Sequence, residues 1–158
     1  MPALGRVGTN FIETAPLVVH ATVSVQASPA QVWRVLNDTE RWPEWFDGLS
    51  EARVTSPVWD GVGSTRSVKV GPVTMEEEMV VWEPESHWGF CGIEASWAGA
   101  GLKKILETVR ISPDGNGSQL RYTTGIELAP FAKPLAGIVK KQMRSAWETA
   151  LPKIDDQI

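Results

Sequence analysis

One stretch near the C-terminus limits what this chain can become. In residues 133–155, Leu135, Ile138, Val139, Met143, Ala146, Trp147, Ala150, Leu151 and Ile154 recur at three- and four-residue spacing. Lys133, Lys140, Lys141, Arg144 and Glu148 mostly fall between them. That spacing predicts a long helix with one apolar stripe. Pro134 suits the first turn, where a missing N–H costs nothing, and Pro152 should kink or end the helix. Almost everything upstream reads as short strands, so the helix needs a sheet against which to bury its stripe.

Upstream, residues 17–26 alternate. Val19, Ala21, Val23 and Val25 point one way, and His20, Thr22, Ser24 and Gln26 the other, which predicts a half-buried strand with His20 on its polar face. Ser28-Pro29-Ala30-Gln31 then starts a helix of about two turns: Ser28 can cap, Pro29 suits the first position and Gln31 can close a capping box. Val32, Val35 and Leu36 form its inner face, and Thr39 is placed to cap a second short helix through Trp45. Six further strands are expected at 50–55, 64–70, 73–82, 87–94, 103–111 and 119–128, punctuated by Gly- and Pro-rich turns. Such local spacing implies an antiparallel meander. The predicted class is α+β, a bent antiparallel sheet of about seven strands wrapped on one long helix, with two short helices after the first strand.

Length and composition narrow the function classes. At 158 residues the chain is one domain by size, large enough for a core and a cavity. A net charge of −4 without a basic stripe disfavours nucleic acid as a partner. The single cysteine, Cys91, excludes an internal disulfide framework and is compatible with a cytoplasmic location. Residues 1–15 contain neither a signal-peptide core nor a membrane span, and read as a flexible arm before one domain over 16–158; no stable membrane insertion is expected. His20, His87 and Cys91 have no spacing suited to a metal site, and Gly61-Val62-Gly63 and Gly99-Ala100-Gly101 lack the third glycine and strand-to-helix setting of a nucleotide loop. No cofactor or metal is therefore expected. Cys91, in a strand, reads as inert core.

The order of elements resembles the START/Bet v 1-like (SRPBCC) superfamily, and within it the bacterial polyketide cyclase/dehydrase-like proteins. The residues that carry the resemblance are Ser28-Pro29-Ala30-Gln31-Val32-Trp33, Glu40-Arg41-Trp42-Pro43-Glu44-Trp45 and Trp82-Glu83-Pro84. It implies a helix-grip fold, with a seven-stranded sheet gripping the C-terminal helix over a deep cavity. Relatives of this kind bind or act on lipids, sterols and polyketides, or serve as co-chaperone domains. The fold alone does not choose among these.

With a gripping sheet in place, strand alternation selects candidate site residues. In Glu76-Glu77-Glu78, Glu77 must face one way and its neighbours the other, and both faces are mixed; with Trp82 inward, Glu76 and Glu78 look to the cavity or its rim. Trp88 and Phe90 inward carry Glu94 with them, Val109 and Ile111 carry Glu107, and Leu120 and Ile126 carry Tyr122. Glu107, Glu94 and Tyr122 are the candidate acid/base groups, set against the plain alternative of solvated carboxylates paired with Arg66, Arg110 or Arg121. Trp33 and Trp147 read as core. By resemblance, Trp42, Trp45, Trp88 and Trp97 surround the cavity, and Trp82, Phe90, Tyr122, Val139 and Met143 complete the expected ligand-binding set. The mouth is expected between the long helix, the Trp42/Trp45 segment and the loop 95–101. The leading reading is a non-enzymatic carrier of an apolar small molecule such as a lipid, sterol or polyketide. The alternatives are a cyclase or dehydratase using cavity carboxylates, and a co-chaperone-like interaction domain.

Overall fold

The structure is a computed structural model and describes residues 1–158. Its elements run α1 (Phe11–Thr14), β1 (Leu17–Val25), α2 (Pro29–Asn37), a 3-10 segment Thr39–Glu44, β2 (Leu49–Val54), β3 (Thr65–Val70), β4 (Val73–Glu83) and β5 (His87–Ala95). After a short 3-10 turn, Trp97–Gly99, come β6 (Leu102–Asp114), β7 (Gly117–Leu128), a 3-10 segment Pro130–Leu135, α3 (Ala136–Ala150) and a final 3-10 segment Leu151–Gln157. The seven strands form one antiparallel sheet in the order β1-β7-β6-β5-β4-β3-β2. From β2 to β7 each strand pairs with the next, as local hairpins require. β1 instead closes on β7, so α2 and the segment after it carry the chain from one sheet edge to the other. This is the α+β helix-grip architecture, with α3 laid on the inner face.

Local chemistry explains the boundaries. The Ser28 hydroxyl accepts from the Gln31 N–H at 3.2 Å, and the Gln31 side chain accepts from the Ser28 N–H at 2.9 Å, a complete capping box. Thr39 makes no cap; it is the first residue of the 3-10 segment and its buried hydroxyl has no partner. The β6–β7 turn narrows to Gly115-Asn116, with Gly115 at φ +59°, a conformation glycine adopts at no steric cost. Gly117 starts β7 where a Cβ would run into the Val25 carbonyl oxygen, so only glycine lets β1 and β7 meet there. Asp155 ties the C-terminal turn to the end of β1 by accepting from the N–H groups of Gln26 and Ala27 at 2.9 and 2.8 Å.

The helical stretch is shorter than its periodicity predicts. Pro134 lies inside a 3-10 turn that precedes α3, and the chain tightens again to 3-10 at Leu151, next to Pro152. Trp147, Ala150, Leu151 and Ile154 are buried, while Val139, Met143 and Ala146 are half-buried. Leu135 and Ile138, expected on the buried stripe, are exposed.

Two β-bulges re-aim side chains. In β4 the register steps from Met79 opposite Phe90 to Val81 opposite Gly89, so β4 carries one extra residue. In β5 it steps from Glu94 opposite Glu76 to Gly92 opposite Glu77, so Ile93 is the extra residue there. Beyond Cys91, β5 no longer pairs with β6. Within residues 1–15, expected to be a flexible arm, residues 2–5 are laid along this gap, and α1 packs on β7. The Leu4 N–H donates to the Ile93 carbonyl and the Gly5 N–H to the Lys103 carbonyl, both at 2.9 Å, while the Ala95 N–H donates to the Pro2 carbonyl at 3.0 Å. Backbone groups freed by the split are thereby satisfied, and Leu4 is buried against Ile105, Ile126 and Leu128.

Candidate functional site

The inner face of the sheet holds two apolar clusters. The larger joins β1, α2, Trp42, Trp45, Trp88, Phe90, Val109, Leu120 and Tyr122 to Trp147, Leu151 and Ile154. The smaller gathers Leu4, Ala95, Ile105, Ile126, Leu128 and Ala132. Half-buried Met75 and Met143 pack against both. Between the clusters runs a line of buried polar side chains: Thr124 on β7, Glu107 on β6, Glu77 on β4 and Arg66 on β3. Thr124 stands opposite Glu107 in the β6–β7 register, and Arg66 opposite Glu77 in the β3–β4 register.

Glu107 is the centre of this line. The Tyr122 hydroxyl donates to Glu107 Oε1 at 2.7 Å and the Trp147 indole N–H donates to the same oxygen at 3.0 Å. The Tyr122 and Trp147 rings stack at 4.4 Å and 15°, which fixes both donors. Both hydrogen bonds fall on Oε1, and no protein donor reaches Oε2. Burial pushes the Glu107 carboxyl up to about 7, and the negative charge of Glu77 adds to the rise; the Tyr122 and Trp147 donors and Arg66 work against it. Tyr122 is raised well above its ordinary value, first by burial and then by the charge of Glu107, so it stays a donor.

Arg66 forms the second half. Its Nε donates to Glu77 Oε2 at 2.6 Å with both side chains buried. Its guanidinium carbon lies 4.2 Å from the Trp42 ring centroid, 5.0 Å from that of Phe90 and 5.3 Å from that of Trp88, an aromatic box for a cation. Burial raises the Glu77 carboxyl, and the attraction of Arg66 opposes it. Arg66 Nη1 and the Trp45 indole N–H remain buried donors without partners. The box is braced from α2: Asn37 Oδ1 accepts from the indole N–H groups of Trp88 and Trp59 at 3.0 and 3.2 Å, and the Trp42 indole N–H donates to the Leu36 carbonyl at 3.0 Å.

The structure therefore brings together Glu107, Tyr122, Trp42, Trp45, Trp88 and Phe90, with Met143 beside them and Val139 against the smaller cluster. It sets Glu94 and Trp97 apart. Glu94 is exposed, because the bulge at Ile93 reverses the alternation that would have carried it inward with Phe90. Trp97 is 80% exposed on its loop and lines no interior space. Trp82 does face α2, with its ring 5.3 Å from Trp33 and 5.9 Å from Trp59. The bulge between Met79 and Val81 breaks the inference drawn from it: Glu77 is the inward carboxylate, while Glu76 is bonded to Thr55 and Glu78 to Arg6. Arg66 was missed as a site residue, although its parity with Val68 on β3 was the available signal. One hollow of about 110 Å³ is lined by Arg34, Val35, Asp38, Arg41, Trp45 and Gln157, and another follows the outer face of α3.

No group of three or more His, Cys, Asp and Glu side chains is placed to hold a metal ion, and no helix is long and apolar enough to cross a membrane. Residues 16–157 match the family model described as "Polyketide cyclase / dehydrase and lipid transport". The uncharacterised protein Rv2574 of Mycobacterium tuberculosis is 35% identical over 130 residues, covering 82% of this chain and 77% of its own. Among solved structures, TTHA0849 from Thermus thermophilus superposes with a TM-score of 0.73 at 22% identity, covering 89% of this chain and 95% of the other. Norcoclaurine synthase from Thalictrum flavum, in complex with dopamine and hydroxybenzaldehyde, gives 0.68 at 18% identity over 99% and 96% of the two chains. A START superfamily protein from Mycobacterium smegmatis gives 0.68 at 18% identity over 89% and 99%. At these identities the structures share the fold alone. A family model spanning nearly the whole sequence makes this chain, with its helix-grip architecture, a member of the polyketide cyclase/dehydrase and lipid transport family.

Proposed function

We propose that this protein binds one apolar small molecule on the inner face of its sheet and holds it by a polar oxygen at Glu107. The observation that carries this reading is the line Thr124–Glu107–Glu77–Arg66 across an otherwise apolar interior. A core that only had to pack gains nothing from two buried carboxyls and a guanidinium with an unpartnered N–H; such groups cost free energy unless something uses them. Met75 and Met143 border both clusters, and methionine side chains re-pack easily around an entering molecule. A lipid, sterol or polyketide bearing a carbonyl or hydroxyl satisfies both demands, apolar burial and a hydrogen bond to Oε2.

Native mass spectrometry of the protein purified without added ligand tests the reading directly, and an apolar dye titrated against tryptophan emission gives the stoichiometry. A bound apolar mass, or saturable binding near 1:1, is expected. Absence of binding by dye, fatty acid, sterol and aromatic polyketide at high micromolar concentration overturns it.

One observation favours a second reading, catalysis. A carboxyl titrating at about 7, hydrogen-bonded to a tyrosine that remains protonated, can take a proton from one carbon and deliver one to a nearby oxygen at neutral pH. Cyclisation or dehydration of a polyketide-like substrate needs those two transfers. If the protein is an enzyme, Glu107→Gln keeps ligand affinity and loses turnover by about a hundredfold. Full activity in that variant assigns the site to binding alone.

A further inference from the structure

The face of the molecule built from the 95–106 segment and the 128–147 segment differs from the rest in both charge and polarity. The two segments are adjacent in space. The Ala129 N–H donates to the Gly101 carbonyl at 2.8 Å, and a Cβ on Gly101 would lie 3.0 Å from Ala132 and 3.9 Å from the Phe131 ring. They contain six basic residues, Lys103, Lys104, Lys133, Lys140, Lys141 and Arg144, and no acidic one. The remainder of the chain holds the other nine basic residues and all nineteen acidic ones. An acidic protein thus keeps one cationic face.

That face also carries the most exposed large aromatic side chains. Trp97 and Phe131 are 80% and 73% exposed, and Leu135 and Ile138, at the start of α3, are 52% and 56% exposed. Trp97 is the only exposed tryptophan of the eight; the others are buried or half-buried. Behind Ile138 the outer groove of α3 is lined by Lys140, Lys141 and Arg144 with Gly137, Ser145 and Glu148. Among these cations only Lys104 forms an ion pair, with Glu127 at 3.9 Å. Arg144 Nε donates to the His20 carbonyl on β1 at 3.1 Å.

We propose that this face docks the protein reversibly on an anionic lipid bilayer surface, with Trp97, Phe131, Leu135 and Ile138 entering the headgroup layer and Lys103, Lys133, Lys140 and Lys141 meeting lipid phosphates. Charge complementarity decides the occupant. A second copy of this chain would bring the same cations into opposition across a two-fold axis, which repels, whereas an anionic bilayer attracts them. Exposed aromatic and aliphatic tips beside lysines, with no helix long and apolar enough to cross, form the pattern of a protein lying on the interface. The proposal is independent of whether Glu107 holds a ligand, since none of the docking residues belongs to the polar line.

The test uses the full chain with vesicles of phosphatidylcholine alone and of phosphatidylcholine with about a third phosphatidylglycerol, read by co-sedimentation and tryptophan emission. Binding to the anionic vesicles with a blue-shifted emission is expected, weakening with added salt. Trp97→Phe removes the blue shift while leaving far-UV circular dichroism unchanged. Lys133→Ala with Lys141→Ala lowers the partition by roughly twenty-five-fold, about fivefold for each charge near the surface. Ile138→Asp reduces it further. No partition into anionic vesicles overturns the proposal, as does equal partition into neutral ones or a blue shift that survives in Trp97→Phe. A concentration-dependent dimer abolished by Ile138→Asp, without vesicle binding, also overturns it and assigns the face to a second copy.

Discussion

Replacing Glu107 by Gln tests the electrostatic core of the site without requiring a substrate. In the folded protein the Glu107 carboxyl titrates at about 7, against an ordinary value of 4.5. Its folded pKa lies above its unfolded one, so between those values the native state binds more protons than the unfolded chain. Stability contributed by this group is therefore fully present below about pH 4.5 and is lost as pH rises through 7. At about 1.4 kcal/mol per pKa unit, the full swing is about 3 kcal/mol, and about 2 kcal/mol of it falls between roughly pH 5.5 and pH 8. Gln keeps the shape and an oxygen for the Tyr122 and Trp147 donors but cannot ionise. The assay is urea unfolding followed by tryptophan emission on both proteins at several pH values. The difference in unfolding free energy, wild type minus variant, should fall by about 2 kcal/mol across that range. Taking the difference removes the opposing contribution of His20 and His87, whose values are lowered by burial and by neighbouring arginines and which therefore stabilise with rising pH. A flat difference, or one that rises with pH, refutes the claim that Glu107 is buried, raised and held by those two donors.

The remaining predictions concern its neighbours. Tyr122→Phe removes one of the two donors that hold the carboxylate, so the Glu107 titration should move above 7 and stability at about pH 8 should drop by about 1–2 kcal/mol; an unmoved midpoint in the same difference experiment contradicts the hydrogen bond. Arg66→Met leaves Glu77 buried without its partner and should cost about 3–5 kcal/mol, while adding Glu77→Gln should recover at least half. A double variant no more stable than Arg66→Met in chemical denaturation would mean that the arginine serves packing rather than the pair. Ser28→Ala removes the reciprocal cap of α2 and should cost about 1 kcal/mol, read as a lowered thermal midpoint; no change would mean that α2 is held by Val32, Val35 and Leu36 alone.

Chain order and period were enough to read the fold. Alternation placed β1, the spacing of turns placed the hairpins, and the Ser28–Gln31 box placed the start of α2, because each depends on residues within a few positions of one another. The inner position of Glu107 follows from two-residue steps back from Ile111 and Val109, and β6 has no bulge in that interval. Where the ladder stays regular, parity counted along a strand is parity in space.

Tertiary structure decided the rest, for two physical reasons. A bulge is a property of two strands together: the extra residues in β4 and at Ile93 arise from the β4–β5 register, and neither leaves a mark in its own strand's sequence. Each reverses parity, so Trp82 and Glu77 share the inner face although simple alternation separates them, and Glu94 leaves it. Burying a charge likewise requires a partner from elsewhere in the chain. Arg66 reads locally as a surface residue; it is buried because β3 sets it opposite Glu77 and because Trp42, Trp88 and Phe90, brought in from other elements, close around it. The exposed tips of Leu135 and Ile138 belong to the same class. Their helical period is written in the sequence, but whether that end of the stripe meets the sheet depends on where the turn Pro130–Leu135 aims the helix.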